Sequence, residues 1–129
     1  AAAARISLGS GEKLALGNMD VRRDWGWAPE YVDAMWRMLQ QDTPEDIVIA
    51  TGRTHSLEQF VELAFRAVNL DWRDHVVTDP ALRRPSDLSE GRANPARARA
   101  RLGWEARRGM EDVVREMVMA QVDALRSAR

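Results

Sequence analysis

A chain of 129 residues suffices for one compact domain with a real hydrophobic core. Its formal net charge of −1 supplies no overall field toward nucleic acid or an anionic membrane. The absence of cysteine excludes disulfides, thiolate metal sites and cysteine nucleophiles. No apolar run approaches the roughly 20 residues that span a bilayer, and none reads as a signal-peptide core; the cytoplasm is the expected compartment.

In chain order, Ala1-Ala2-Ala3-Ala4-Arg5-Ile6 reads as the last turns of a helix. With no initial Met, either a processed terminus or a truncated longer chain accounts for that start. Gly9-Ser10-Gly11 marks a turn, and Leu14-Ala15-Leu16 reads as a short strand ending at Gly17-Asn18. A polar loop with Arg22, Arg23 and Asp24 follows. Pro29 occupies a first-turn position, with Glu30 at the positive end of the helix dipole. Val32, Met35, Trp36 and Leu39 then recur at helical spacing, widened by Tyr31 and Met38, so one broad buried face is expected up to about Asp42-Thr43-Pro44.

The run from Asp46 to Gly52 is apolar and β-branched, which predicts a strand covered on both faces. Ser56-Leu57-Glu58-Gln59 is a capping box opening a helix with Leu57, Phe60, Val61, Ala64 and Val68 on one face. His75-Val76-Val77-Thr78 reads as a weaker strand, and Arg83-Arg84-Pro85-Ser86-Asp87 as a loop. Asn94-Pro95 opens a short helix that ends at Leu102-Gly103. The last helix begins near Gly109-Met110, buries Met110, Val113, Val114, Met117, Val118, Val122 and Leu125, and frays over residues 126–129. The predicted fold is α/β and predominantly helical, with one layer pair of helices and buried strand.

Little in the chain suits nucleophilic or metal chemistry. His55 and His75 are the only imidazoles, neither with an acidic partner at ligand spacing. Gly9 and Gly11 begin a G-x-G pattern, but Leu14 stands where the third glycine of a phosphate-cradling fingerprint belongs. The arginines are more informative, because guanidinium forks bind phosphate oxygens in a planar, charge-assisted way. Arg22-Arg23 and Arg83-Arg84 both lie in loops after strand-like segments; converging on one cleft, they would suit a diphosphate, with Asp87 taking ribose hydroxyls. The alternative makes them surface residues or partners of Asp24 and Asp87, and spacing alone favours that alternative. Arg97, Arg99, Arg101, Arg107 and Arg108 form the densest basic stretch, but residues 97, 99 and 101 do not share one helical face, so a solvated helix is expected there and nucleic-acid binding is not.

Residues 16–42, with Arg23-Asp24-Trp25-Gly26 and Ala34-Met35-Trp36-Arg37-Met38-Leu39-Gln40-Gln41-Asp42, resemble the GDP-mannose 4,6-dehydratases of the extended short-chain dehydrogenase/reductases. So do Ile49-Ala50-Thr51-Gly52-Arg53-Thr54-His55-Ser56, Phe60-Val61-Glu62-Leu63-Ala64, Leu102-Gly103-Trp104 and Val114-Arg115-Glu116-Met117-Val118. Arg84-Pro85-Ser86-Asp87 looks like the family's Arg-Pro-Thr-Glu loop.

The resemblance implies a substrate-binding role for four residues. Arg23 and Arg84 would hold the nucleotide diphosphate from opposite sides. Asp87, where the family has Glu, would reach the ribose, and Gly17 would let backbone approach the nucleotide. It further implies that residues 1–129 are a single C-terminal portion: the end of a Rossmann sheet region plus a small nucleotide-sugar lobe, without the N-terminal NADP-binding domain. The family oxidises GDP-mannose at C4, removes water across C5–C6 and returns hydride at C6, using NADP and a Tyr-x-x-x-Lys pair. Here Lys13 precedes Tyr31, the only tyrosine, so no such pair exists and no catalytic residue is assigned. The chain alone is expected to be inactive and to bind no NADP, and the full-length enzyme to be a homo-oligomer. Two rival readings stand beside this one: another nucleotide-sugar epimerase or reductase of the superfamily, and a stand-alone non-catalytic binding module.

Overall fold

A computed structural model describes residues 1–84, 86 and 88–128. The chain is α/β and mainly helical. Its helices are α1 (Ala2–Ser7), α2 (Ala28–Leu39), α3 (Leu57–Arg66), α4 (Ala96–Leu102) and α5 (Met110–Ser127). Its strands are β1 (Leu14–Leu16), β2 (Arg22–Arg23), β3 (His55–Ser56) and β4 (Val76–Thr78). β1 and β4 pair in parallel, Leu14 opposite Val76, while β2 and β3 pair antiparallel, Arg23 opposite His55.

Sequence signals that act over a few residues hold. The capping box forms, with Ser56 Oγ accepting from the Gln59 N–H at 3.1 Å and Gln59 Oε1 accepting from the Ser56 N–H at 3.0 Å. α4 ends at Gly103 in the left-handed region, φ 59°, where a side chain would be strained. It begins one residue past Pro95, and Asn94 Oδ1 accepts from the Ala96 N–H.

Among the described residues, three apolar clusters form the core. α5 lays Met110, Val114, Val118 and Val122 against Ala4 of α1 and Phe60 and Ala64 of α3. Val61 and Phe65 turn the other side of α3 toward Ile6, Leu14, Leu16 and Val76, beneath the parallel strands. The third cluster joins Ala34 of α2 to Ala98 and Leu102 of α4 and to Trp104, with Tyr31, Met38, Ile47 and Ile49 packed around it. Phe65 and Val114 are the largest fully enclosed side chains, and each such burial contributes about 1.5–3 kcal/mol.

Four expectations change. The loop around Arg22 and Arg23 is a short strand, because β3 supplies a partner 32 residues away. α2 does not bury its predicted face: Val32, Met35, Trp36 and Leu39 are 62%, 56%, 60% and 81% exposed, and Ala34 on the narrower side enters the core. The run 46–52 forms no strand among the described residues, with Ile47 and Ile49 packed inward and Val48 53% exposed. Met117 of α5 is also exposed, because the contacts of α5 with α1 and α3 leave that side open. No helix among the described residues is long and apolar enough to cross a membrane.

Candidate functional site

The site is built around the end of β1. A Cβ on Gly17 would lie 2.6 Å from the Leu82 carbonyl oxygen and 2.8 Å from its carbon. Both are backbone atoms that cannot swing aside. Gly17 therefore sets how closely the short 3₁₀ turn Pro80–Leu82 approaches β1, and with it where the loop carrying Arg83 and Arg84 departs. Gly17→Ala should cost about 1–3 kcal/mol through overpacking, read by urea unfolding. Gly11→Ala, with nothing within 4 Å of its Cβ position, is the control.

The other end of the same loop is fastened to β2. The Arg22 N–H donates to Ser89 O at 2.8 Å, and the Gly91 N–H donates to Arg22 O at 2.9 Å. Arg23 Nη1 donates to Leu88 O and to Arg22 O, each at 2.8 Å. The segment from residue 82 to residue 91 is thus strung between Gly17 and Arg23, with Arg84 exposed along it. Of the four residues singled out from sequence, Gly17 meets Leu82 and Arg83 just before Arg84, and Arg23 bonds the Leu88 carbonyl further along the same loop. Asp87 lies outside the described residues. Spacing gave no hint that Arg23 holds the loop through its carbonyls.

The alternative that pairs the arginines with Asp24 is not what the structure shows. Asp24 Oδ1 accepts from the Thr51 N–H at 3.1 Å and from Thr51 Oγ1 at 2.8 Å, and Oδ2 accepts from the Gly52 N–H at 2.8 Å. This clamp ties the end of the 46–52 run to the residue after β2, beside Arg23. Tyr31 packs edge-on against Trp104 and against Gly26, where a Cβ would run into the phenol ring. Burial, then the charges of Asp24 and Glu30, push the Tyr31 phenol up, opposed by a hydrogen bond from the Thr51 backbone.

The remaining polar clusters serve the fold. Arg97 and Arg101 both grip Glu45, and the Arg101 hydrogen bond leads in holding that carboxyl below its usual range. The basic stretch is exposed as expected, but it is paired, with Arg99 on Glu105 as well. His75 stacks on Phe65 with ring centroids 5.6 Å apart, and His55 lies opposite Arg23 in the strand pair. No group of three metal-ligating side chains is found among the described residues. An open cleft of about 810 Å³ lies between α2 and residues 103–108. Its Glu30 carboxylate already accepts from the backbone N–H groups of Arg107 and Arg108 at 3.3 Å, and Arg108 covers the Trp27 ring.

Against this geometry, the profile of the family described as GDP-mannose 4,6 dehydratase matches residues 1–117. The chain is 42% identical over 114 residues to GDP-mannose 4,6 dehydratase 1 of Arabidopsis thaliana, covering 88% of this chain and 32% of that protein. It is 39% identical over 141 residues to the Homo sapiens enzyme of that name, covering 96% and 38%. Against the GDP-mannose 4,6-dehydratase of Sinorhizobium fredii (strain HH103) the identity is 40%, covering 99% and 41%. The chain therefore spans about a third to two fifths of the length of these relatives. Among solved structures, RMD from Pseudomonas aeruginosa complexed with NADPH superposes with a TM-score of 0.83 at 19% identity, covering 95% of this chain and 40% of that one. A Thermotoga maritima UDP-glucose 4-epimerase with UDP-glucose gives 0.81 at 21%, covering 95% and 38%. These two likenesses establish the fold alone, which each of those longer chains contains as about two fifths of its length.

Proposed function

Because the chain belongs to the GDP-mannose 4,6 dehydratase family, we propose that residues 1–129 form the nucleotide-sugar grip of a GDP-mannose 4,6-dehydratase, which converts GDP-mannose to GDP-4-keto-6-deoxymannose with loss of water. The observation that carries this reading is identity of about 40% to dehydratases of that name across nearly the whole chain. The epimerases enter as fold relatives only.

In this reading Arg23 and Arg84 hold the diphosphate from two sides of the strung loop, and Gly17 keeps that loop close to β1. Asp87 takes the ribose hydroxyls. Charge-assisted forks of this kind contribute about 1.5–3 kcal/mol each when shielded from water.

The cofactor does not fit the residues present. Gly9 and Gly11 lie between α1 and β1, in the order helix then strand, opposite to the strand-then-helix order of a dinucleotide cradle. Tyr31, packed beneath Trp104, has no lysine at the fourth position after it. NADP and the catalytic pair accordingly belong to the part of the relatives that this chain does not span, in a cytoplasmic homo-oligomer that engages neither nucleic acid nor membrane. The purified 129-residue chain should give no turnover of GDP-mannose with added NADP. The same residues spliced in place of the matched span of the Arabidopsis relative should restore it. Turnover by the chain alone, assayed free of any full-length enzyme, would overturn the division of labour.

A further inference from the structure

The short strand β2, from which Arg23 reaches, is held on several sides by backbone. The Leu57 N–H, at the start of α3, donates to Val21 O at 2.9 Å, just ahead of the strand. β3 pairs alongside, Ser56 opposite Arg22 and His55 opposite Arg23. The Arg22 backbone is bonded to Ser89 and Gly91. Directly after Arg23 a side chain joins these contacts. The half-buried Asp24 carboxylate accepts from the Thr51 N–H, the Thr51 hydroxyl and the Gly52 N–H. The turn it grips is itself stiff. Thr51 Oγ1 accepts from the Arg53 N–H at 3.1 Å, and Gly52 sits at φ +77°, where an added Cβ would lie 3.2 Å from Pro95 Cδ. A tether to a mobile segment stabilises without locating, whereas a tether to a stiff turn also fixes position.

Resting on the reading in which Arg23 holds the diphosphate, we propose that Asp24 is a positioning residue for the nucleotide-sugar grip. Its clamp on Thr51 and Gly52 fixes the end of β2, and so the place from which the Arg23 guanidinium meets the phosphates. A guanidinium fork needs two N–H groups aimed at two oxygens, so a small shift of its backbone weakens binding even when the charge remains. The Asp24 oxygens are committed to the turn, and the residue acts through its neighbour. Without the clamp, Arg23 keeps its bond to the Leu88 carbonyl but loses the fixed turn against which β2 and that loop are set. The backbone contacts of β2 survive a change at position 24, which makes this carboxylate the point where the placement of Arg23 can be altered while Arg23 itself stays.

The test is a double-mutant cycle in the spliced full-length form, read by calorimetric titration with GDP-mannose and with NADP well below the melting temperature of every variant. Asp24→Asn keeps the size of the side chain but only one acceptor oxygen. It should weaken GDP-mannose binding about 5- to 20-fold and leave NADP binding unchanged. In an Arg23→Ala background the same change should weaken GDP-mannose binding less than about twofold, because the guanidinium it positions is gone. Thr51→Val removes the hydroxyl donor alone and should give a smaller loss, coupled to Arg23 in the same way; it carries the cycle if Asp24→Asn does not fold. A purely structural role would lower the melting temperature and leave the affinity of the folded protein intact, and that result would overturn the proposal. So would equal losses with and without Arg23. If Arg23→Ala itself leaves GDP-mannose binding intact, the diphosphate reading falls and this inference with it. A loss in Arg23→Ala with none in Asp24→Asn overturns this inference alone.

Discussion

Asp24→Ala should lower the unfolding free energy by about 2–4 kcal/mol, read from urea denaturation with an unchanged slope. One carboxylate takes three donors, the Thr51 N–H, the Thr51 hydroxyl and the Gly52 N–H, at 2.8–3.1 Å. Hydrogen bonds to a charged acceptor are each stronger than neutral ones, but three on one group do not add fully, which sets the upper end of the range. Deletion also strands donors on a partly buried turn. Gly52 sits there at φ +77°, held against Pro95, so the turn has few ways to relax. Asp24→Asn keeps acceptor capacity at one oxygen and should recover part of the loss. An alanine variant as stable as the parent would mean that the turn is held by the chain around it and that Asp24 is incidental.

That clamp also shows where sequence reasoning reached and where it stopped. Contacts made within a few residues were legible: the Ser56–Gln59 box, the Gly103 stop and the apolar side of α5 each depend on neighbours three or four positions away. β1 and β4 were legible as strands, although their parallel pairing across 62 positions was not, since register is a tertiary property. Asp24 is offered by sequence only as one alternative partner of the arginines, because proximity along the chain is the only distance available there; its partners in the structure lie 27 and 28 positions on. The periodicity of α2 was read correctly as amphipathic. The error was to assume that an apolar stripe must be covered by this chain. Strand 46–52 failed for the same reason, its pattern specifying burial on both faces while a sheet partner is missing among the described residues. Neither periodicity nor the family motifs gave the contacts by which Gly17 meets Leu82 and Arg23 bonds the Leu88 carbonyl.

In the spliced full-length form, Arg23→Ala and Arg84→Ala should each weaken GDP-mannose binding roughly 10- to 150-fold, the equivalent of about 1.5–3 kcal/mol, and should affect NADP binding far less. The two changes act through different physics. Arg84 is exposed on the strung loop, so its removal subtracts a guanidinium fork and little else. Arg23 also donates to the Leu88 carbonyl at 2.8 Å, so its removal frees the loop as well as subtracting charge. Arg23→Ala should therefore lower the melting temperature of the unliganded protein, while Arg84→Ala should not. Lysine at position 84 should restore part of the affinity as a point charge without the two-oxygen fork, and lysine at position 23 should restore less, because one ammonium replaces both the carbonyl tether and the fork. Arg97→Ala is the internal control: its partner is Glu45, in an exposed pair of little net worth. Calorimetric titration with GDP-mannose across the series decides between the arrangements. Equal losses at Arg97 and at the two site arginines, or no loss at either site arginine, would remove the diphosphate from this margin of the fold.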